Sequence, residues 1–174
     1  MEAGQELHIK KPSFWSGTRE LFNEHGGKVG TFRMLTLLSW RKAEGEAGGK
    51  TLRFSYSGWN THRSQATDEW GRVVGTMHRS YWCGTNAQLI LHEKEYLWHA
   101  NLAGTHFSIE ETDGTEVIRV TGCGGFGMKG SVRILRAINT QEAIELIYMG
   151  LYQMRLFEAE VAATTAIVAG PIAI

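Results

Sequence analysis

The segment from Asn139 to Phe157, NTQEAIELIYMGLYQMRLF, constrains the fold of this 174-residue chain more than any other. Asn139 followed by Glu142 is a cap-like helix start, and from Ala143 to Phe157 only Glu145, Gln153 and Arg155 are strongly polar. At ~100° per residue, Ile144, Leu146, Ile147, Met149, Leu151, Tyr152, Leu156 and Phe157 cover every side of such a helix. A helix without a polar face must be surrounded. A bilayer could surround it, but a single span needs ~20 apolar residues, and Glu145, Arg155, Glu158 and Glu160 interrupt the run. The closing stretch VAATTAIVAGPIAI is charge-free but short and alanine-rich, a poor anchor. The rest of the chain must therefore supply the surroundings.

From Lys10 to Ile138 that remainder reads as short strands joined by glycine turns. TLRFSYS alternates Leu52, Phe54 and Tyr56 with polar neighbours, and THFSIEETDG places Phe107 and Ile109 on one face ahead of an Asp-Gly turn. Twenty-one glycines and two prolines suit many tight turns. A repeat runs through this region: GGKVGT (Gly26 to Thr31), GRVVGT (Gly71 to Thr76) and GTEVIR (Gly114 to Arg119) each set a valine three residues after a turn glycine. The longer pair GTRELFNEHGG and GTHFSIEETDG matches in its Gly-Thr start and its closing glycine. Recurrent hairpins beside an all-round apolar helix predict a mainly β fold. The expected form is a closed antiparallel β-barrel of repeated hairpins enclosing the C-terminal hydrophobic helix, because closure also removes exposed strand edges. The boundaries expected are a single domain over residues 1–174, with strands over about 10–138, the central helix over about 140–158 and a short C-terminal tail.

Composition narrows the function classes. Eighteen basic residues balance eighteen acidic ones, whereas a nucleic-acid binder normally carries an excess of cations. Two cysteines, Cys83 and Cys123, form neither a disulfide framework nor a pair at metal spacing. The first thirty residues contain no apolar stretch of signal-peptide length, which predicts a cytoplasmic protein. Neutrality hides a local asymmetry. Lys28, Arg33, Arg41, Lys42, Lys50 and Arg53 face only Glu44 and Glu46 between residues 28 and 53, whereas residues 92–118 hold six acidic side chains against Lys94.

The patterns SFWSGTRELFNEHGGKVG, ATDEWGRVVGTMHRSYW and GTHFSIEETDGTEVIRV, followed by the helix AIELIYMGLYQMRLF, resemble the tubby-like superfamily, in particular its small bacterial and LURP-one-related members and the related phospholipid scramblases. The resemblance covers roughly Lys10 to Phe157 and rests on turns and core rather than on catalytic signatures. It implies a membrane-proximal module, since tubby domains bind phosphoinositide headgroups through basic residues of the barrel wall. This chain departs from that pattern in lacking a dense Lys/Arg cluster, and it has no D-x-D-x-D-G calcium loop and no cysteine-rich palmitoylation run.

Motifs that would carry chemistry are weak. GCGGFG (Gly122 to Gly127) matches the G-x-G-x-x-G string after a strand, but the MKGSVRILRAI that follows has the composition of a strand rather than a phosphate-binding helix. None of the seven histidines forms an H-x-H or H-x-x-x-H pair; His92 and His99 sit seven apart, a spacing that a hairpin could either close or split. No G-x-S-x-G elbow is present. No catalytic residue, metal ligand or cofactor is predicted. Most of the six tryptophans are expected in packing, with Trp40, beside Arg41 and Lys42, and Trp70, at a turn tip, as candidates for a membrane interface. The expected function is a non-enzymatic membrane-surface or lipid-headgroup-binding domain with a cytoplasmic, peripheral location. Arg33, Arg41, Lys42 and Arg53, expected on neighbouring strands of the first hairpins, are its headgroup-binding candidates and an anionic phospholipid surface is its partner. A carrier or enzyme with a pocket at the barrel mouth and a protein-interaction scaffold are the alternatives.

Overall fold

The computed structural model describes residues 1–13, 16–35, 42–56, 62–80, 84–122 and 128–168. The alternating segments form β1 (Glu6–Lys10), β2 (Thr18–Asn23), β3 (Lys28–Met34), β4 (Lys42–Ala47), β5 (Lys50–Tyr56) and β6 (Arg63–Thr67). They continue as β7 (Val73–Arg79), β8 (Asn86–Leu91), β9 (Lys94–Ala100), β10 (His106–Glu111), β11 (Glu116–Thr121) and β12 (Lys129–Ile134), and the chain ends in α1 (Thr140–Val168). Each strand pairs antiparallel with its neighbour in sequence, and β1 pairs with β12 to close the barrel. The fold is therefore mainly β, with one C-terminal helix inside a closed antiparallel barrel.

Size explains why the helix is needed. Eight strands enclose little more than their own side chains, but twelve strands ~4.8 Å apart and tilted by ~40° make a cylinder about 24 Å across. That leaves room for a helix of ~10 Å diameter. α1 fills it: every residue from Ala143 to Leu151 is buried, as are Tyr152, Met154, Leu156 and Phe157. Inward strand positions such as Leu7, Leu21, Phe32, Phe54, Trp98, Phe107 and Ile134 meet it from all sides. Tyr148 packs tightly on the wall: its hydroxyl and its ring lie where side chains at positions 30 and 45 would otherwise stand, so both are glycine. Its hydroxyl donates to the Glu46 carbonyl oxygen at 2.8 Å.

The repeated sequence is a repeated structure. The β2–β3, β6–β7 and β10–β11 hairpins each shift register by one residue near the turn, at Leu21/Phe22, Ala66/Thr67 and Ile109/Glu110. Each closes with the same pair of backbone bonds, spanning Asn23 to Gly27, Asp68 to Arg72 and Glu111 to Thr115. The turn glycines 26, 71 and 114 have φ of 78°, 81° and 84°, a left-handed conformation that glycine adopts without penalty.

Two boundaries differ from the sequence reading. The barrel begins at Glu6 rather than about Lys10, because Leu7 and Ile9 alternate into the core and β1 supplies the closing edge for β12. The helix does not end at about Phe157 or Glu158 but continues to Val168. Alanine is the strongest helix former, and no breaker appears before Gly170 and Pro171.

Because strands alternate in direction, the connections segregate. The five short hairpin turns and the chain leading into α1 lie at one rim, here the hairpin rim. The connections β1–β2, β3–β4, β5–β6, β7–β8, β9–β10 and β11–β12 lie at the other, the loop rim, where α1 emerges.

Candidate functional site

Strand register decides which members of the basic block meet. Arg33 on β3 stands opposite Glu44 on β4, which stands opposite Arg53 on β5, and all three point outward. Glu44 bridges the two arginines: Arg33 Nη2 donates to Oε2 at 3.0 Å and Arg53 Nε to Oε1 at 3.4 Å. Both arginine side chains remain more than half exposed, at 55% and 54%. Lys42 projects from the same face two positions along β4, beside Ser55. Three of the four predicted headgroup residues thus share one wall around a single carboxylate, a local charge of +2. The fourth, Arg41, lies outside the described residues, as does Trp40. Lys28 is engaged elsewhere, donating to Glu20 at 2.6 Å, and Lys50 stands at the hairpin rim. Surface pairs of this kind contribute about 0–1 kcal/mol to stability, so the cluster is not explained as a structural necessity.

The acidic block disperses. Glu111 pairs with Arg136, Glu116 with Arg119, and Glu110 lies 3.6 Å from His99. His92 sits in the β8–β9 turn and His99 near the far end of β9, so the hairpin separates them rather than bringing them together. Among the described residues no group of three His, Cys, Asp or Glu side chains is placed to hold a metal. The string beginning at Gly122 joins two antiparallel strands and is followed by β12, not by a helix; residues 123–127 lie outside the described residues.

Nothing in the sequence pattern marks the group at the hairpin rim, where the β8–β9 hairpin clasps the start of α1. Asn139 Oδ1 caps the helix by accepting from the Gln141 and Glu142 backbone N–H groups at 2.9 and 3.3 Å. Glu142 accepts from Tyr96 Oη at 2.7 Å and Lys94 Nζ at 2.9 Å. Burial pushes its carboxyl up, but these hydrogen bonds and the nearby positive charge together hold it below the usual carboxylate range. The same contact, added to burial, raises the Tyr96 phenol above its ordinary value. One turn on, the buried Glu145 carboxylate lies 2.7 Å from His92 Nε2 and accepts from Gln141 Nε2 at 2.9 Å. His92 and Glu93 both adopt positive φ, 48° and 68°, in a turn of the type that suits a two-residue hairpin. A cavity of about 140 Å³ opens beside this group, with Leu52, Trp70, Val74, His92 and Glu145 in its lining. Trp70 is 71% exposed at its turn tip, with the Arg72 guanidinium 4.7 Å from its ring centre.

At the loop rim Arg79, wholly buried, donates to Glu160 at 2.7 Å, while its Nε and Nη1 have no hydrogen-bond partner among the described residues. Gln153 reaches Ser64 at 2.9 Å inside the barrel.

No family model matches the chain, and no curated protein does. Among solved structures, it is similar to a protein of Arabidopsis thaliana determined by X-ray crystallography, with a TM-score of 0.58 and 11% identity over 85% of this chain and 90% of that one. At that identity the likeness concerns the fold.

Proposed function

We propose that the protein is a non-enzymatic, peripheral domain that binds the headgroups of an anionic cytoplasmic membrane surface, as its resemblance to tubby-like, LURP-one-related and scramblase-like proteins implies. The observation that carries this reading is the outward cluster of Arg33, Arg53 and Lys42 around Glu44. Two guanidiniums on strands two positions apart are oriented by one carboxylate, yet each side chain remains more than half exposed, the arrangement from which arginine makes charge-assisted bonds to phosphate. A surface ligand also fits the filled barrel.

Each basic side chain near an anionic membrane contributes about 1 kcal/mol, so docking through this wall is reversible and salt-sensitive. The test is co-sedimentation with vesicles, with and without phosphatidylserine or a phosphoinositide, for the wild type and an Arg33→Glu, Arg53→Glu double variant. The wild type should bind anionic vesicles at low salt and more weakly at physiological salt, and the variant should lose most of that binding. Equal partitioning of both proteins at both salt concentrations would remove the wall as a lipid site.

A further inference from the structure

We infer that the barrel docks end-on, with the loop rim and the emerging tip of α1 against the anionic lipid surface and the hairpin rim facing away. The inference rests on the membrane-surface reading above and adds the contact face and the orientation. Its first support is the segregation of charge along the barrel axis. Among the described residues the connections at the loop rim contain no aspartate or glutamate, whereas those at the hairpin rim contain Glu24, Asp68, Glu69, Glu93 and Asp113 against Arg72. Around the loop rim Lys10, Lys42, Arg63 and Lys129 are exposed and Lys11 is half-buried. The acids that α1 brings there, Glu158 and Glu160, are paired with Arg155 and Arg79. In the field of an anionic membrane a molecule polarised in this way turns its basic end inward.

The second support is apolar exposure on the same rim. Leu35, Leu102, Met128 and Val161 are 39%, 80%, 40% and 47% exposed, and they belong to three different connections and the helix, whereas at the hairpin rim the exposed Trp70 and Val73 come from a single hairpin. Burial along α1 ends at Phe157, Val161 and Ala162 are exposed, and the helix runs on to Val168 without a charged residue, about 12 Å past Glu160 at 1.5 Å per residue. No helix among the described residues is long and apolar enough to cross a membrane, so this tip suits the interfacial layer rather than a span. An apolar centre ringed by lysine and arginine matches acyl chains beneath a plane of phosphates. A second copy in a face-to-face dimer would instead oppose two basic rims, which repel.

The experiment places an environment-sensitive fluorophore on single cysteines in a full-length background with Cys83 and Cys123 replaced by serine. The positions are 102 and 161 at the loop rim and 70 at the hairpin rim, and the probe surface is vesicles with and without 30% phosphatidylserine. The label at 102 and at 161 should shift to the blue and be quenched by spin-labelled lipid with anionic vesicles, and the label at 70 should stay aqueous. Lys10→Glu, Lys129→Glu should weaken partitioning at low salt by at least about tenfold, from roughly fivefold per charge removed, while Lys50→Glu at the other rim should leave it within about twofold. Vesicle binding that is lost in Arg33→Glu, Arg53→Glu while labels 102 and 161 stay wet would overturn end-on docking and leave the headgroup reading standing. A blue shift at 70 would overturn the orientation, and absence of vesicle binding by the wild type would overturn both. Capture of a protein by the loop rim, without any lipid-dependent shift, would reassign the face to a protein partner.

Discussion

Single residues in this barrel are legible as exceptions to a pattern, and the structure supplies the partner that explains each one. Glu145 and Gln153 stand out in the sequence as polar breaks in an apolar helix, but nothing local names His92 for the first or Ser64 for the second. The glycines of β3 and β4 read as turn material, yet Gly30 and Gly45 are there to admit Tyr148. Gly45→Ala should therefore overpack the core and lower stability by about 1–3 kcal/mol in urea unfolding. Tyr148→Phe keeps the ring and loses only the bond to Glu46, an expected cost of about 1 kcal/mol. Glu142 allows a test with a defined sign. Its folded-state carboxyl is held below the ordinary range, so its contribution is present at neutral pH and is lost as pH falls through that depressed value. The stability gap between the wild type and Glu142→Gln should thus be open at pH 7 and narrow as pH falls below the ordinary glutamate range, in denaturant titrations at each pH.

At the scale of elements, α1 behaves as the core of the domain. Leu151 is 3% exposed and surrounded, so Leu151→Asp buries a charge with no partner and should abolish folding, read as loss of soluble protein and of a melting transition. Removing the chain from Asn139 onward should do the same, because a twelve-strand wall without its helix exposes its inner face; a soluble, cooperatively melting truncation would refute this. Asn139→Ala is the milder probe, expected to cost about 1 kcal/mol through the lost cap. The three bulged hairpins were visible as glycine-valine repeats because turn chemistry is local. Their shared register shift was not, since a bulge is a property of two strands at once.

For the whole molecule, all twelve strands contribute to one core cluster with the helix, so far-UV circular dichroism and tryptophan fluorescence should report a single coincident unfolding transition. Divergent midpoints would mean that some hairpins detach before the helix. The basic block illustrates how function at this scale depends on topology. Arg33, Lys42 and Arg53 were nominated from composition, but their convergence around Glu44 is a result of strand register, and the same register sends Lys28 to Glu20. The lack of acids among the described residues of the loop-rim connections is a consequence of up-and-down connectivity, which gathers alternate connections from the length of the chain at one end. The sequence alone determined that a helix apolar on all sides must be enclosed and that alternating hairpins with glycine turns would enclose it. Those properties follow from 3.6- and 2-residue periods and from turn chemistry, all written in near neighbours. Closure of β1 on β12, the pairing of His92 with Glu145 and the gathering of charge at the two rims were decided only in the tertiary structure. Each depends on contacts between residues far apart in the chain, where no local pattern distinguishes the partner that is chosen from the many that are not.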